Sequence, residues 1–288
     1  MIACVQLLIK FAFLEPYGAI TSLNTLGIIL LILATICIAA AGNIINDIND
    51  VETDTINKPN KVIIGKHISE KTAYNLFIVL NVVGVGIGYY LSNTVGRSGF
   101  FSLFVIISVL LYLYATYLKQ LLLIGNVLVS IMVALSIIIV GLFELMPNMT
   151  VENQSIQLIY FKTILNYAYF AFILNLIREI TKDAEDFEGD IKVGTKTLPI
   201  VIGKKNTNYA LLGLSLIPLT SICFYFANSL YKNQIAVIYF LIFIVAPLVY
   251  LCIRVITANI KNNYTHISNI LKLIMLFGML SLLLYFYT

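Results

Sequence analysis

Long charge-free stretches alternate along the chain with short polar ones. Residues 16–46, 72–96, 98–118, 120–143, 163–177, 206–231, 233–253 and 273–288 contain no Asp, Glu, Lys or Arg. A helix needs roughly 20 apolar residues to cross the hydrocarbon core of a bilayer. The 163–177 stretch is short, so its helix is expected to run past Lys162 and Arg178. Residues 1–20 read as one more span, interrupted by Lys10. They lack the basic start and small-residue cleavage site of a signal peptide. They resemble instead a first span whose flank is short or missing. The pattern predicts an all-α, multi-pass membrane bundle of about nine transmembrane helices. No Pro/Gly/Ser-rich linker divides the chain, so 1–288 is expected to be a single membrane domain.

Composition agrees with this class. Of 288 residues 60% are hydrophobic and 11% charged, with a mean hydropathy of +0.95. A soluble domain carries about a quarter charged residues. With the spans numbered one to nine, loops after even spans and their flanks carry Lys58, Lys61, Lys66, Lys71, Lys119, Arg178, Lys182, Lys192, Lys196, Lys204, Lys205, Arg254 and Lys261. Loops after odd spans carry Arg97, Lys162 and Lys232. That is 13 against 3, so the even loops are expected in the cytoplasm, and in a bacterium the membrane would be the inner one. The asymmetry accounts for the net charge of +4 without a nucleic-acid partner. Cys4, Cys37, Cys223 and Cys252 lie in apolar runs without ligand-like spacing, and are expected as small buried residues. His67 and His266 stand alone and are expected to be solvated in loops.

Two polar stretches carry the candidate chemistry. "NDINDVETD" (46–54) and "KDAEDFEGD" (182–190) share D-x-x-D-x-E-x-D with identical spacing, 136 residues apart, a hint of two related halves. Asn46, Asp50 and Asp54 are spaced i, i+4, i+8, with Asp47 three before Asp50. Asp183, Asp186 and Asp190 repeat the relation. On a continuing helix these positions share a face. Clustered carboxylates repel, so they make sense around a cation. The donors are all oxygen, which suits Mg2+, Ca2+ or Mn2+. The EF-hand pattern for Ca2+ is absent, and Mg2+ typically combines one or two carboxylates with phosphate oxygens. Lys58, Lys61 and Lys66 follow the first stretch, and Lys119 ends the fourth span. Arg178 precedes the second stretch, Lys182 opens it, and Lys192 and Lys196 follow. Carboxylates for metal beside cations for phosphate oxygens is what diphosphate chemistry requires. A single D-x-x-x-D would pass as charge flanking a membrane helix; two copies in matched spacing argue for a site.

These motifs resemble those of the UbiA-type intramembrane prenyltransferases. N-D-x-x-D-x-x-x-D appears as Asn46, Asp47, Asp50 and Asp54, followed by "NKPNKVIIGKHIS", where Val62 replaces a proline. A middle motif appears in "YLYATYLKQLLLIGN", and the second acidic motif in "REITKDAEDFEGDIKVGTKTLPI". The resemblance covers nearly the whole chain in helix count and motif order. It implies a nine-helix bundle around a central cavity, with the acidic motifs facing each other at the cytoplasmic end. It also implies Mg2+-dependent transfer of a prenyl group from a prenyl diphosphate to an acceptor. Asn46, Asp50, Asp54, Asp186 and Asp190 would hold metal, with Asp183 a further ligand or acceptor contact. Asn46, Asp47, Lys58, Lys61, Lys119, Asn126, Arg178, Lys182 and Lys192 would contact diphosphate or acceptor. The second motif is most similar to the branch that makes digeranylgeranylglyceryl phosphate, which implies geranylgeranyl diphosphate as donor and geranylgeranylglyceryl phosphate as acceptor. Aromatic-acceptor branches share the Asp pattern.

Three expectations concern the membrane interior. Tyr112, Tyr114, Tyr117, Tyr167 and Tyr169 either line the prenyl cavity or belong to interfacial packing. Asn126 and Asn175 sit in apolar runs and should face the bundle interior. Lys10 either snorkels or faces the cavity. The reading from a different class, a cation transporter, would place acids near mid-span.

Overall fold

The computed structural model describes residues 1–60, 62–228 and 233–287; Lys61 and Lys232 lie outside them. The helices are α1 (Ile2–Leu14), α2 (Thr25–Asn49), α3 (Val51–Asn57), α4 (Glu70–Thr94), α5 (Phe101–Thr116), α6 (Ile124–Leu145) and α7 (Gln154–Glu185). They continue as α8 (Phe187–Val193), α9 (Leu198–Ile202), α10 (Lys204–Asn228), α11 (Gln234–Ile256) and α12 (Lys261–Leu280). Among the described residues eight helices are long and apolar enough to cross a membrane, and α1 is a shorter apolar one. The chain is an integral, multi-pass membrane protein. Helices satisfy every interior backbone group within the segment, which lipid cannot do.

The helix predicted around 163–177 extends both ways, as expected. At 32 residues α7 is about 48 Å long, well over the roughly 30 Å hydrocarbon core. Its charged last turns therefore project beyond the apolar layer. Residues 1–20 do not form a full span. Helix α1 ends at Leu14, ahead of Pro16, which cannot continue a helix.

Two apolar cores hold the bundle. Ile9, Phe13, Ile28, Leu31, Leu91, Phe104 and Phe143 belong to the first; Leu211, Leu248, Leu251, Tyr264 and Leu271 to the second. Helix α7 enters both, through Ile164 and Ile177, and so does α12, through Met279 and Leu271. A cavity of about 1080 Å3 opens beside α7, lined by Ile38, Leu111, Met132, Phe170, Leu174, Ile222, Phe240 and Met275.

The loops sort onto two ends in the alternation expected. At one end Lys119 reaches Asp50, Lys58 reaches Asp186, and Lys261 Nζ donates to the Asn57 carbonyl at 2.7 Å. At the other, Asn148 donates to the Thr21 carbonyl, Gln157 to that of Ile20, and the Tyr160 hydroxyl to that of Tyr17.

Lys10 neither snorkels nor lines the cavity. It is 1% exposed, ion-paired with Glu144 at 2.9 Å and hydrogen-bonded to the Leu23 carbonyl. The second Glu144 oxygen accepts the Leu23 N–H at 3.1 Å. A buried ammonium needs a carboxylate more than it needs the interface. Nor are all cysteines buried: Cys37 and Cys252 are, but Cys223 is exposed. His266 lies within α12 beside the Tyr250 hydroxyl rather than in a loop.

Candidate active site

Both acidic stretches continue a long helix, and both break at the same motif position. Asp50 separates α2 from α3 at φ −99°, ψ 2°, and Asp186 separates α7 from α8 at φ −93°, ψ 8°. The expectation of one unbroken helix through each motif is corrected here. These angles fall in the bridge region between helix and strand. The backbone ladder nevertheless persists, since Asp54 N–H donates to the Asp50 carbonyl and Asp190 N–H to that of Asp186. The i, i+4, i+8 relation therefore survives the bend.

The two breaks face each other. Lys58 Nζ sits 2.5 Å from Asp186 Oδ2. Asn57 Nδ2 donates to the Asp186 carbonyl at 3.1 Å, and the Gly189 N–H donates to Asn57 Oδ1 at 3.0 Å. Glycine is required for that closure, because a Cβ on residue 189 would stand 2.4 Å from the Asn57 amide. Sequence reasoning did not name Asn57 as a site residue, although it opens the "NKPNKVIIGKHIS" motif beside Lys58.

The middle motif joins the clusters from a third side. After α5 the chain turns through Leu123, a non-glycine residue at φ 60°, a conformation L residues rarely adopt. The turn folds Gly125 onto the Lys119 backbone, where an added Cβ would lie 2.8 Å from its Cα. Lys119 Nζ is thereby placed 2.5 Å from Asp50 Oδ1, and Asn126 Nδ2 2.8 Å from Asp183 Oδ2. One turn thus serves both acidic motifs.

Charge in the cluster is unbalanced. Burial pushes the Asp190 carboxyl up to about 7; Asp186, Asp50 and Asp54 add to this, and Lys58 opposes it. Asp54 is also raised, by burial first, against the pull of Lys58 and with Asp50, Asp186 and Asp47 adding. Burial alone would lower Lys58, but its bond to Asp186 and the charges of Asp186, Asp54 and Glu185 outweigh it and raise it.

Mg2+ fits this donor set. The carboxylates and the Asn46 amide offer oxygen only. Asn46 Nδ2 is spent on Asp50 Oδ2 at 2.6 Å, while Asn46 Oδ1 and Asp186 Oδ1 are buried with no partner among the described residues. Among those residues no three acidic, histidine or cysteine side chains close on one point. The protein alone thus leaves a coordination sphere incomplete, which suits an ion that takes its remaining ligands from phosphate and water.

The other sequence candidates divide. Arg178 and Lys182 line the cavity with Asn46. They pair with Glu179, at 3.1 Å and 2.9 Å, and not with either acidic motif. Glu179 was missed, being one more acid near a span end. Asp47 is exposed at the margin of the cluster. Lys192 does not join the site: it is exposed and forms no ion pair among the described residues, because the α8 face carrying Asp190 turns it away. Lys61 lies outside the described residues. Of the tyrosines, Tyr114, Tyr167 and Tyr169 line the cavity, whereas Tyr112 packs on Phe77 and Tyr117 is exposed. Asn175 lines the cavity and bonds Ser130. The acids that a transporter would carry at mid-span stand instead at helix ends.

A profile of the UbiA prenyltransferase family matches residues 8–273. A digeranylgeranylglyceryl phosphate synthase of Methanosphaera stadtmanae is 31% identical over 87% of this chain and 86% of its own length. One from Methanobrevibacter smithii is 38% identical over 66% of this chain, an alignment that spans 62% of that relative. The structure of a UbiA homolog from Archaeoglobus fulgidus, bound to DMAPP and Mg2+, superimposes with a TM-score of 0.57 at 18% identity, covering 98% of this chain and 96% of that one.

Proposed function

The chain belongs to the UbiA prenyltransferase family, and on that premise we propose that it transfers a geranylgeranyl group from its diphosphate to geranylgeranylglyceryl phosphate. The observation that carries this reading is the Lys58–Asp186 and Asn57–Gly189 closure, which brings both acidic motifs to one end of an apolar cavity. We read 1–288 as one domain, with the motif end in the cytoplasm because 13 of the 16 loop and flank cations counted above lie on that side. Membrane lipid and both isoprenoid substrates are its partners.

Asn46, Asp50, Asp54, Asp186 and Asp190 would hold Mg2+, which when bound supplies positive charge to the diphosphate oxygens. Lys58 and Lys119, resting on Asp186 and Asp50, are placed to meet the same oxygens as their negative charge grows. The allylic C–O bond breaks with its electron pair going to the diphosphate. The cavity wall of Ile38, Leu111, Met132 and Phe170 excludes water that would capture the allylic cation. The acceptor hydroxyl oxygen forms the new ether bond and releases its proton. Asp183, oriented by Asn126 at 2.8 Å, takes that proton.

Radiolabelled geranylgeranyl diphosphate and geranylgeranylglyceryl phosphate, incubated with the protein in detergent, should give a Mg2+-dependent product identified by mass. EDTA should abolish it and added Mg2+ restore it. Transfer that persists in EDTA, or the absence of product from well-folded protein, would refute the reading.

A further inference from the structure

The cavity wall carries a second set of cations, Arg178 and Lys182, which stand in the second motif but pair with neither acidic cluster. We propose that Arg178 and Lys182, braced by Glu179, form the docking site for the phosphate of the acceptor lipid, distinct from the site that takes the diphosphate. This rests on the reading that the acceptor is a phosphorylated isoprenoid glycerol.

The placement comes first. Arg178 and Lys182 stand one turn apart on α7, share a face, and both line the cavity. Lys58 and Lys119 are committed elsewhere, on Asp186 and Asp50. The bundle therefore holds two groups of cations with different carboxylate partners, one paired with the acidic motifs and one with Glu179 on the cavity wall. A single diphosphate headgroup would engage the first.

Charge comes second. Arg178 Nη1 contacts Glu179 Oε1 at 3.1 Å, and Lys182 Nζ contacts Glu179 Oε2 at 2.9 Å and Oε1 at 3.2 Å. Two cations share one carboxylate, which leaves one positive charge over. The neighbouring acid, Asp183, is turned to Asn126. Arg178 Nε is buried with no hydrogen-bond partner among the described residues. A guanidinium offers five donors in a fork that matches phosphate, and a buried donor left unpaired is costly. Arg178 lines the cavity, where a phosphate monoester offers the guanidinium a charged partner that a neutral acceptor lacks. Glu179 is a positioning residue, holding both cations on the cavity face.

The test follows the KM and the binding of geranylgeranylglyceryl phosphate in variants of the two cations. With geranylgeranyl diphosphate saturating, Arg178→Met and Lys182→Met should each raise KM for the phosphorylated acceptor about tenfold or more, the loss of a charge-assisted hydrogen bond. KM for the diphosphate should change less than about twofold, and Arg178→Lys should recover part of the loss. An unchanged acceptor KM, or a parallel rise in the diphosphate KM, overturns the assignment. Binding of labelled geranylgeranylglyceryl phosphate, measured without diphosphate, decides the matter independently of turnover. Wild type should retain it and both methionine variants lose it. If wild type binds but transfers nothing, the proposed reaction is wrong and the phosphate site stands; equal binding by the variants sinks the site alone.

Discussion

Two groups of buried charge lie at opposite ends of this bundle. Around Lys10 and Glu144, the ammonium holds a carboxylate and a backbone carbonyl, and both carboxylate oxygens accept bonds. Around Asp50 and Asp186, lysines cover one oxygen each, while Asn46 Oδ1 and Asp186 Oδ1 are left without a partner among the described residues. The first cluster is closed and has only itself to satisfy. The second is open beside a cavity, and burial pushes its Asp190 and Asp54 carboxyls toward protonation. Buried charge is costly in both places, but only the open cluster has something to gain from a guest.

The contrast predicts effects of different kinds. Asp50→Ala and Asp186→Ala should each cut Mg2+-dependent transfer by about a thousandfold, as loss of a charge-stabilising group does, with little change in thermal unfolding. Wild-type turnover in either variant would break the comparison at its open end. Glu144→Ala should do the reverse. Among the described residues it leaves the buried ammonium only the longer carboxylate contact, Glu15 at 3.9 Å, and it should lower stability by up to about 3–5 kcal/mol, read as a drop in detergent unfolding midpoint, while active molecules keep their KM values. Replacing the pair together, Lys10→Met with Glu144→Leu, should recover most of that loss. If the double variant is no better than the single one, the pair is not a closed unit.

Smaller effects sharpen the open end. Gly189→Ala forces the Asn57 amide away and loosens the joint between the motifs. Transfer should fall about tenfold, since misplacing such a site by an ångström is costly, and the prenyl-diphosphate KM should rise. A variant with wild-type kinetics would show that the joint does not hold the site together. Lys192→Ala should stay within about twofold of wild type, because the side chain stands outside the cluster; a large loss would return Lys192 to the site.

Periodicity and composition sufficed for the class of molecule, the long spans and the sorting of loops onto two ends, because hydrocarbon accepts little except apolar helices. The spacing of the two acidic motifs was likewise enough to mark Asp50, Asp54, Asp186 and Asp190, since helical geometry is local. What the chain pattern did not reveal was pairing. Lys10 and Glu144 are 134 residues apart, and Asn57 meets Gly189 across 132; no local rule connects such positions. The same holds for Lys192 and Lys58, two lysines near acidic motifs, of which only Lys58 turns inward. Glu179, which the sequence pattern did not single out, stands between two cations on a cavity wall. Which charges neutralise each other and which stay open to a ligand depends on distances between helices, and those exist only once the bundle has packed.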